Sequence, residues 1–352
     1  MTSMGAGGRP LRAGLIGLGA MGRQHARVMS RLQGVDLVGV VDPCGDPHGA
    51  AVGVPVAGSV AELVDLGIDY AVVASPTTTH AHIGLELADA GINALIEKPI
   101  AHSSQAASKL VHAFEQRGLV GAVAHIERYN TAVRNLRKRL QDQELGSLYQ
   151  VVTRRQGPFP SRISDVGVAM DLAIHDLDLT AWMTGEEYVS ISARCSHKSG
   201  RPHEDLVAVV GQLSEGTIAN HLVNWLSPMK ERVTVVTGDR GCFVADTLTA
   251  DLTYYANGSG HNKWEALNTF RGVSEGNVIR YAAIKEEPLA VEHQAFRDAL
   301  LGHGTDIVGL REGLKTVVLV EALLESAKTG TTVDPGILRF PSPASEDVRL
   351  RV

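Results

Sequence analysis

Residues 11 to 42, LRAGLIGLGAMGRQHARVMSRLQGVDLVGVVD, leave few folds open to the chain. An apolar strand runs into Gly17, Gly19 and Gly22 in a G-x-G-x-x-G spacing, and a helical pattern and a second apolar strand ending in Asp42 follow. Gly17 permits a tight turn, Gly19 lets the backbone approach a pyrophosphate, and Gly22 lets the helix pack close to the strand. The helix opening at Ala20 and Met21 turns free N–H groups toward phosphates. At the end of the second strand the Asp42 carboxylate accepts hydrogen bonds from a ribose 2′-OH and repels a 2′-phosphate, so the stretch predicts NAD rather than NADP.

Downstream, the apolar run Tyr70 to Ser75 gives way at Pro76, Thr77, Thr78, Thr79 and His80 to a helix whose threonines suit an N-cap. Another strand, Asn93 to Ile96, ends in Glu97-Lys98-Pro99, and a helix (Ser103 to Arg117) leads to the strand Val120 to His125. Strands alternating with helices predict an α/β domain with a doubly wound parallel sheet, a Rossmann domain over residues 1–126. Such sheets bind ligands beyond their strands' C-terminal ends, and Ser75, Pro76, Thr77, His80, Glu97 and Lys98 are expected to face the cofactor there. His25, on the helix after the glycines, is read as a packing or capping residue.

From about Leu148 the grammar changes to strand-length runs joined by short turns, which predicts an α+β domain with a mainly antiparallel sheet over residues 127–352. A helix from Ser164 to Met183 interrupts the strands, and helices near 290–301 and 310–328 close the chain and are candidates to pack back on the first domain. Ala256 to Pro288 is rich in Gly, Asn and charge, and is read as a loop covering a site, with Arg280 and Tyr281 on it. The 352 residues suffice for two domains, and a net charge of −6 without a basic block argues against nucleic acid and anionic membranes as partners. Cys44, Cys195 and Cys242 form neither a disulfide framework nor a CxxC pair, and no apolar run reaches the roughly 18 residues of a membrane span. A soluble, cytoplasmic protein is expected. The histidines at 80, 82, 197 and 203 lack zinc-ligand spacing, so no metal is expected.

Within 164–183, Asp171, His175 and Asp178 fall on one arc beside the apolar stripe if each residue turns about 100°. A carboxylate four residues from an imidazole can fix its tautomer and orientation, an arrangement suited to moving a proton. Asp176 points away from that arc and is given a structural part. Lys98, just past a parallel strand, can hydrogen-bond a substrate hydroxyl and stabilise alkoxide character as hydride departs.

The order GLGAMGRQHA, VDP, SPTTTHAHI, EKPIA and DLAIHD resembles the glucose-fructose oxidoreductase/inositol dehydrogenase (Gfo/Idh/MocA) family over nearly the whole chain. The resemblance implies a Rossmann domain followed by an open-faced sheet domain, oxidation or reduction of a sugar or cyclitol carbon with NAD(P), and a homodimer or homotetramer formed through the sheet. It implies that Lys98 is the lysine of the EKP motif, and that Asp171 and His175 are the Asp and His of the D-x-x-x-H-D motif. HIERYN, RQGPFPSR and DVGVAMDLAIHD look like the branch that oxidises the 3-hydroxyl of UDP-N-acetylglucosamine or a close nucleotide sugar. Arg128, Arg155 and Arg162 can supply guanidinium forks for a diphosphate or a sugar carboxylate, Tyr129 and Phe159 can cover a sugar or uracil face, and Asn130 and Lys98 join the expected substrate contacts. The alternatives are a cyclitol dehydrogenase, a reductase of 3-keto deoxysugars, or a non-catalytic NAD-binding sensor. Which of His175 and Lys98 first takes the proton is open at this level.

Overall fold

The computed structural model describes residues 9 to 338, apart from 52, 161, 162, 164, 259 to 273 and 305. The first domain runs β1 (Leu11–Ile16), α1 (Ala20–Met29), β2 (Val35–Val41), β3 (Val56–Ala57), α2 (Val60–Asp65), β4 (Tyr70–Val73), α3 (Thr77–Asp89), β5 (Asn93–Glu97), α4 (Ser104–Arg117) and β6 (Gly121–Ala124). Its strands pair in parallel in the order β3-β2-β1-β4-β5-β6. Near-continuous apolar runs such as Tyr70–Val73, all buried, suit strands covered on both faces. The order reverses between β1 and β4, and the crevice beyond their C-terminal ends is where such sheets take ligands.

The second domain contains α5 (Thr131–Gln141), β7 (Leu148–Pro158), a π turn (Ala169–Ala173), α6 (Ile174–Thr184), β8 (Tyr188–Ser196), β9 (Leu206–Leu213), β10 (Ile218–Asn224), β11 (Leu226–Gly238), β12 (Gly241–Asp246), β13 (Asp251–Gly258) and β14 (Ser274–Tyr281). The eight strands stand in the order β14-β13-β12-β11-β7-β10-β9-β8, antiparallel except for β7 against β10. Burial alternates along β9, so one face of the sheet packs on helices and the other stays open.

The chain closes with α7 (Pro288–Leu300) and α8 (Leu310–Thr329), which tie the two sheets together. Leu310 and Val317 of α8 belong to the core beneath the parallel sheet, whereas Val320 and Leu323 belong to that of the antiparallel one. Phe296 of α7 stacks edge-on against Tyr70 at 5.4 Å. Among the described residues no helix is long and apolar enough to cross a membrane.

Two expectations need correction. The helix placed over 164–183 begins as a π turn at Ala169 and becomes α-helical only at Ile174, with Glu204 Oε1 accepting the Ala169 N–H at 2.9 Å. The wider i to i+5 turn changes the angular step on which the helical face had been reckoned. The segment read as a loop contains β14, so Arg280 and Tyr281 are strand residues at the sheet's edge. An edge strand with Val278 and Ile279 61% and 43% exposed carries no apolar alternation that would reveal it.

Candidate active site

The glycine loop has the geometry its spacing requires. Gly17 has a φ of +97°, and a Cβ there would lie 2.6 Å from the Ala74 carbonyl oxygen. A Cβ on Gly22 would lie 1.9 Å from the Gly17 carbonyl oxygen, whereas a Cβ on Gly19 would point into open space. Gly19 is also the N-cap of α1 and makes no side-chain cap, leaving the first N–H groups of Ala20, Met21 and Gly22 to a phosphate. Asp42 is oriented by the N–H groups of Leu18 and Cys44, at 2.7 and 2.9 Å. Open space, unsatisfied helix donors and a fixed carboxylate together fit NAD. Ser75, Pro76 and Thr77 form the turn from β4 into α3, on the same rim.

Two expected cofactor contacts turn inward. His80 is 1% exposed, with Nδ1 2.8 Å from the Pro99 carbonyl oxygen and Nε2 2.8 Å from that of Ser75, so it staples two strand ends together. Glu97 is buried and bonded to His25 and to the Lys98 N–H.

Lys98 reaches across to the second domain, where its Nζ donates to the Asp171 carbonyl oxygen at 2.7 Å and to Asp171 Oδ1 at 2.8 Å. Asp171 is thus held by Lys98 and not, as the helical spacing suggested, by His175. Asp171 Oδ2 and His175 Nδ1 are buried without hydrogen-bond partners among the described residues. Burial, and then the positive charges of Lys98 and Arg155, push the His175 imidazole well below its ordinary value. A neutral, buried imidazole near an oriented ammonium has the chemistry to accept a proton from a hydroxyl.

His125, which sequence reasoning missed, completes this cluster. It follows β6 as Lys98 follows β5, its ring stands edge-on to His175 at 6.5 Å, and its Nδ1 lies 3.5 Å from Asp178 Oδ2, while neither buried nitrogen makes a hydrogen bond among the described residues. Its position just past a parallel strand was the available signal.

Most of the expected substrate contacts are otherwise engaged. Arg128 makes a two-pronged pair with Asp178 at 2.8 and 2.6 Å and reaches Glu312 at 2.8 Å. Arg155 is bound between Asp176 and Glu127, each at 2.8 Å. Tyr129 is buried and donates to the Asp306 carbonyl oxygen, and Asn130 caps α5. Arg280 pairs with Asp251, and Tyr281 packs under Arg139. Arg162 lies outside the described residues. Phe159 remains available: it is 38% exposed and packs edge-on against Trp225 at 5.4 Å.

Fold and site define an NAD-dependent dehydrogenase acting on a CH–OH group. The chain belongs to the GFO/IDH/MocA oxidoreductases: residues 11–125 match the oxidoreductase family with an NAD-binding Rossmann fold, and 133–244 match the GFO/IDH/MocA C-terminal domain. It is 30% identical over 327 residues to UDP-N-acetylglucosamine 3-dehydrogenase of Acidithiobacillus ferrooxidans, covering 90% of this chain and 99% of that one. A solved structure of that enzyme superposes with a TM-score of 0.78 at 26% identity, over 91% of this chain and 98% of the other. Similarity to scyllo-inositol 2-dehydrogenase (NAD(+)) of Bacillus subtilis is 28% over 195 residues, 52% of this chain and 56% of that one.

If Lys98 and His175 act as the geometry suggests, Lys98→Met and His175→Asn retain NAD affinity within about threefold yet lose turnover by roughly 10²-fold or more. The depressed His175 also keeps the base form below pH 6.5, so activity is lost only as pH falls through that lower value. Near-normal turnover in either variant, or an acid limb of kcat/KM at or above the ordinary histidine value that vanishes in His175→Asn, contradicts the assignment.

Proposed function

We propose that the protein oxidises the 3-hydroxyl of a nucleotide sugar, UDP-N-acetylglucosamine or its uronic acid, to the 3-keto sugar with NAD. The observation that carries this reading is that similarity to the Acidithiobacillus enzyme runs through both domains, whereas similarity to the inositol enzyme covers about half of each chain. In this reading Lys98 Nζ, held by Asp171, donates to the substrate hydroxyl and stabilises negative charge on its oxygen. The neutral His175 imidazole accepts the hydroxyl proton. Held by the glycine loop, the N-terminus of α1 and Asp42, NAD would supply the hydride acceptor.

With Arg128, Arg155 and Arg280 engaged, the diphosphate falls to Arg162 and to Arg201. Arg201 lies over the rings of Phe159 and Trp225, at 4.2 and 5.1 Å; its Nη2 donates to the Ile163 carbonyl oxygen at 3.1 Å, and its buried Nη1 has no hydrogen-bond partner among the described residues. A guanidinium with a free donor beside an exposed aromatic suits a diphosphate next to a sugar or base.

UDP-N-acetylglucosamine or its uronic acid is expected to reduce NAD in the presence of the protein, free N-acetylglucosamine and myo-inositol are not, and UDP competes with substrate. Arg201→Ala raises KM more than it lowers kcat, because a diphosphate contact is made in ground and transition states alike. Efficient oxidation of myo-inositol without inhibition by UDP overturns the reading in favour of a cyclitol dehydrogenase.

The same reading extends to assembly as a homodimer or homotetramer through the open sheet face. That face exposes Val210 by 50%, Leu222 by 39% and Val189 by 43%, an apolar surface that a second copy would cover. Light scattering is expected to give a dimer or tetramer, and Val210→Glu with Leu222→Glu to give a smaller species; a wild-type monomer at micromolar concentration contradicts this.

A further inference from the structure

The C-terminal end of β5 meets two helices in a cluster of buried polar groups that the chemistry above does not use. His25 of α1, His293 of α7 and Glu97 are 0%, 1% and 8% exposed. His25 Nε2 lies 3.0 Å from Glu97 Oε1, and His25 Nδ1 lies 2.8 Å from His293 Nε2, with the two rings edge to face. Glu97 Oε2 accepts the backbone N–H of Lys98 at 3.0 Å. Three side chains from three elements thus end on the peptide that carries Lys98.

The protons along this chain have a definite order. Burial alone would raise the Glu97 carboxyl, but the hydrogen bond from His25 and the neighbouring positive charges outweigh it and hold the group below its ordinary value. An ionised carboxylate only accepts, so His25 must carry a proton on Nε2. Burial, and then His25, push His293 well below its ordinary value, so its ring holds one proton. His293 Nδ1 has no hydrogen-bond partner among the described residues, and placing that proton on Nε2 leaves no N–H of this ring orphaned. With a neutral His25 ring the order is His293 Nε2–H to His25 Nδ1, and His25 Nε2–H to Glu97; a protonated His25 reverses the first bond and keeps the second. Glu292, 1% exposed and with neither carboxylate oxygen hydrogen-bonded among the described residues, is pushed well above its ordinary value by burial and then by Glu97, which leaves Glu97 the charged member. Helix packing alone asks for none of these polar groups, since aliphatic side chains fill such contacts without desolvation cost.

We propose that His293, His25 and Glu97 form a positioning chain that fixes the peptide of Lys98 and so aims its ammonium. The proposal rests on the role given to Lys98 under the proposed function. Its test compares wild type with His25→Leu, His25→Gln and His293→Leu. Trace acetylation of Lys98 is read by peptide mass spectrometry against exposed Lys109, together with kcat and KM for UDP-N-acetylglucosamine and the thermal midpoint. Glutamine keeps an N–H donor near the position of His25 Nε2. The expected result is that His25→Leu raises Lys98 labelling and lowers kcat, each about tenfold, at little changed KM, since misplacing a reacting group by ~1 Å costs up to ~10²-fold. His25→Gln restores both to within about threefold, and His293→Leu lies between. If His25→Leu does not fold, His293→Leu and His293→Gln are compared in the same way. Equal labelling in all variants, or a glutamine variant as impaired as the leucine one, overturns the proposal. If wild type leaves UDP-N-acetylglucosamine untouched, the substrate reading fails while the labelling still decides the positioning role.

Discussion

The ion pair between Lys98 and Asp171 joins the two halves of the site. It ties the end of β5, on the rim of the cofactor crevice, to the π turn that leads into the helix carrying His175. Two side chains only 14% and 7% exposed lose most of their hydration, and such a pair persists when further hydrogen bonds compensate. Here the Asp171 carbonyl oxygen is the second acceptor on the same Nζ. An ammonium aligned in advance needs no reorganisation when negative charge develops on a substrate oxygen, and that is where such groups contribute most.

A second layer of buried charge holds α6 in place. Asp176 and Asp178, 1% and 3% exposed, are neutralised by Arg155 and Arg128, which are anchored in turn by Glu127 and by Glu312 of the closing helix. Breaking one buried partner of such a pair typically costs about 3–5 kcal/mol, because the other charge is left uncompensated. His175 stands between Asp171, held by Lys98, and Asp176, held by Arg155, so its backbone is anchored on both sides. The helix α8, sharing its apolar face between the two cores, keeps the sheets in a constant relation.

What the sequence made legible follows from how local each constraint is. The glycine spacing reports backbone clashes within one turn, and the distances around Gly17 and Gly22 reproduce the reasoning residue by residue. Lys98, Asp171 and His175 come together in space, but the partner of Asp171 was misassigned because nothing in a helical wheel signals a π turn or a lysine arriving from another domain. The internal partners of the arginines were hidden for a related reason. Sequence shows that Arg128 is charged, but not that Glu312, 184 residues away, lies within reach of it. Arg280 and Tyr281 were misplaced because an exposed edge strand has no burial pattern to read. His125 stood in the same relation to β6 as Lys98 to β5, and that rule, applied one strand further, identifies it.

The central claim is that Lys98 and Asp171 act as one unit, and a double-mutant cycle on kcat/KM with Lys98→Met and Asp171→Asn measures this directly. The account predicts strong non-additivity, the double variant falling little below the worse single one, with a coupling of about 1 kcal/mol or more. Losses that add to within about 0.5 kcal/mol would mean that the two residues contribute independently, and that the contact between the domains does not organise the chemistry.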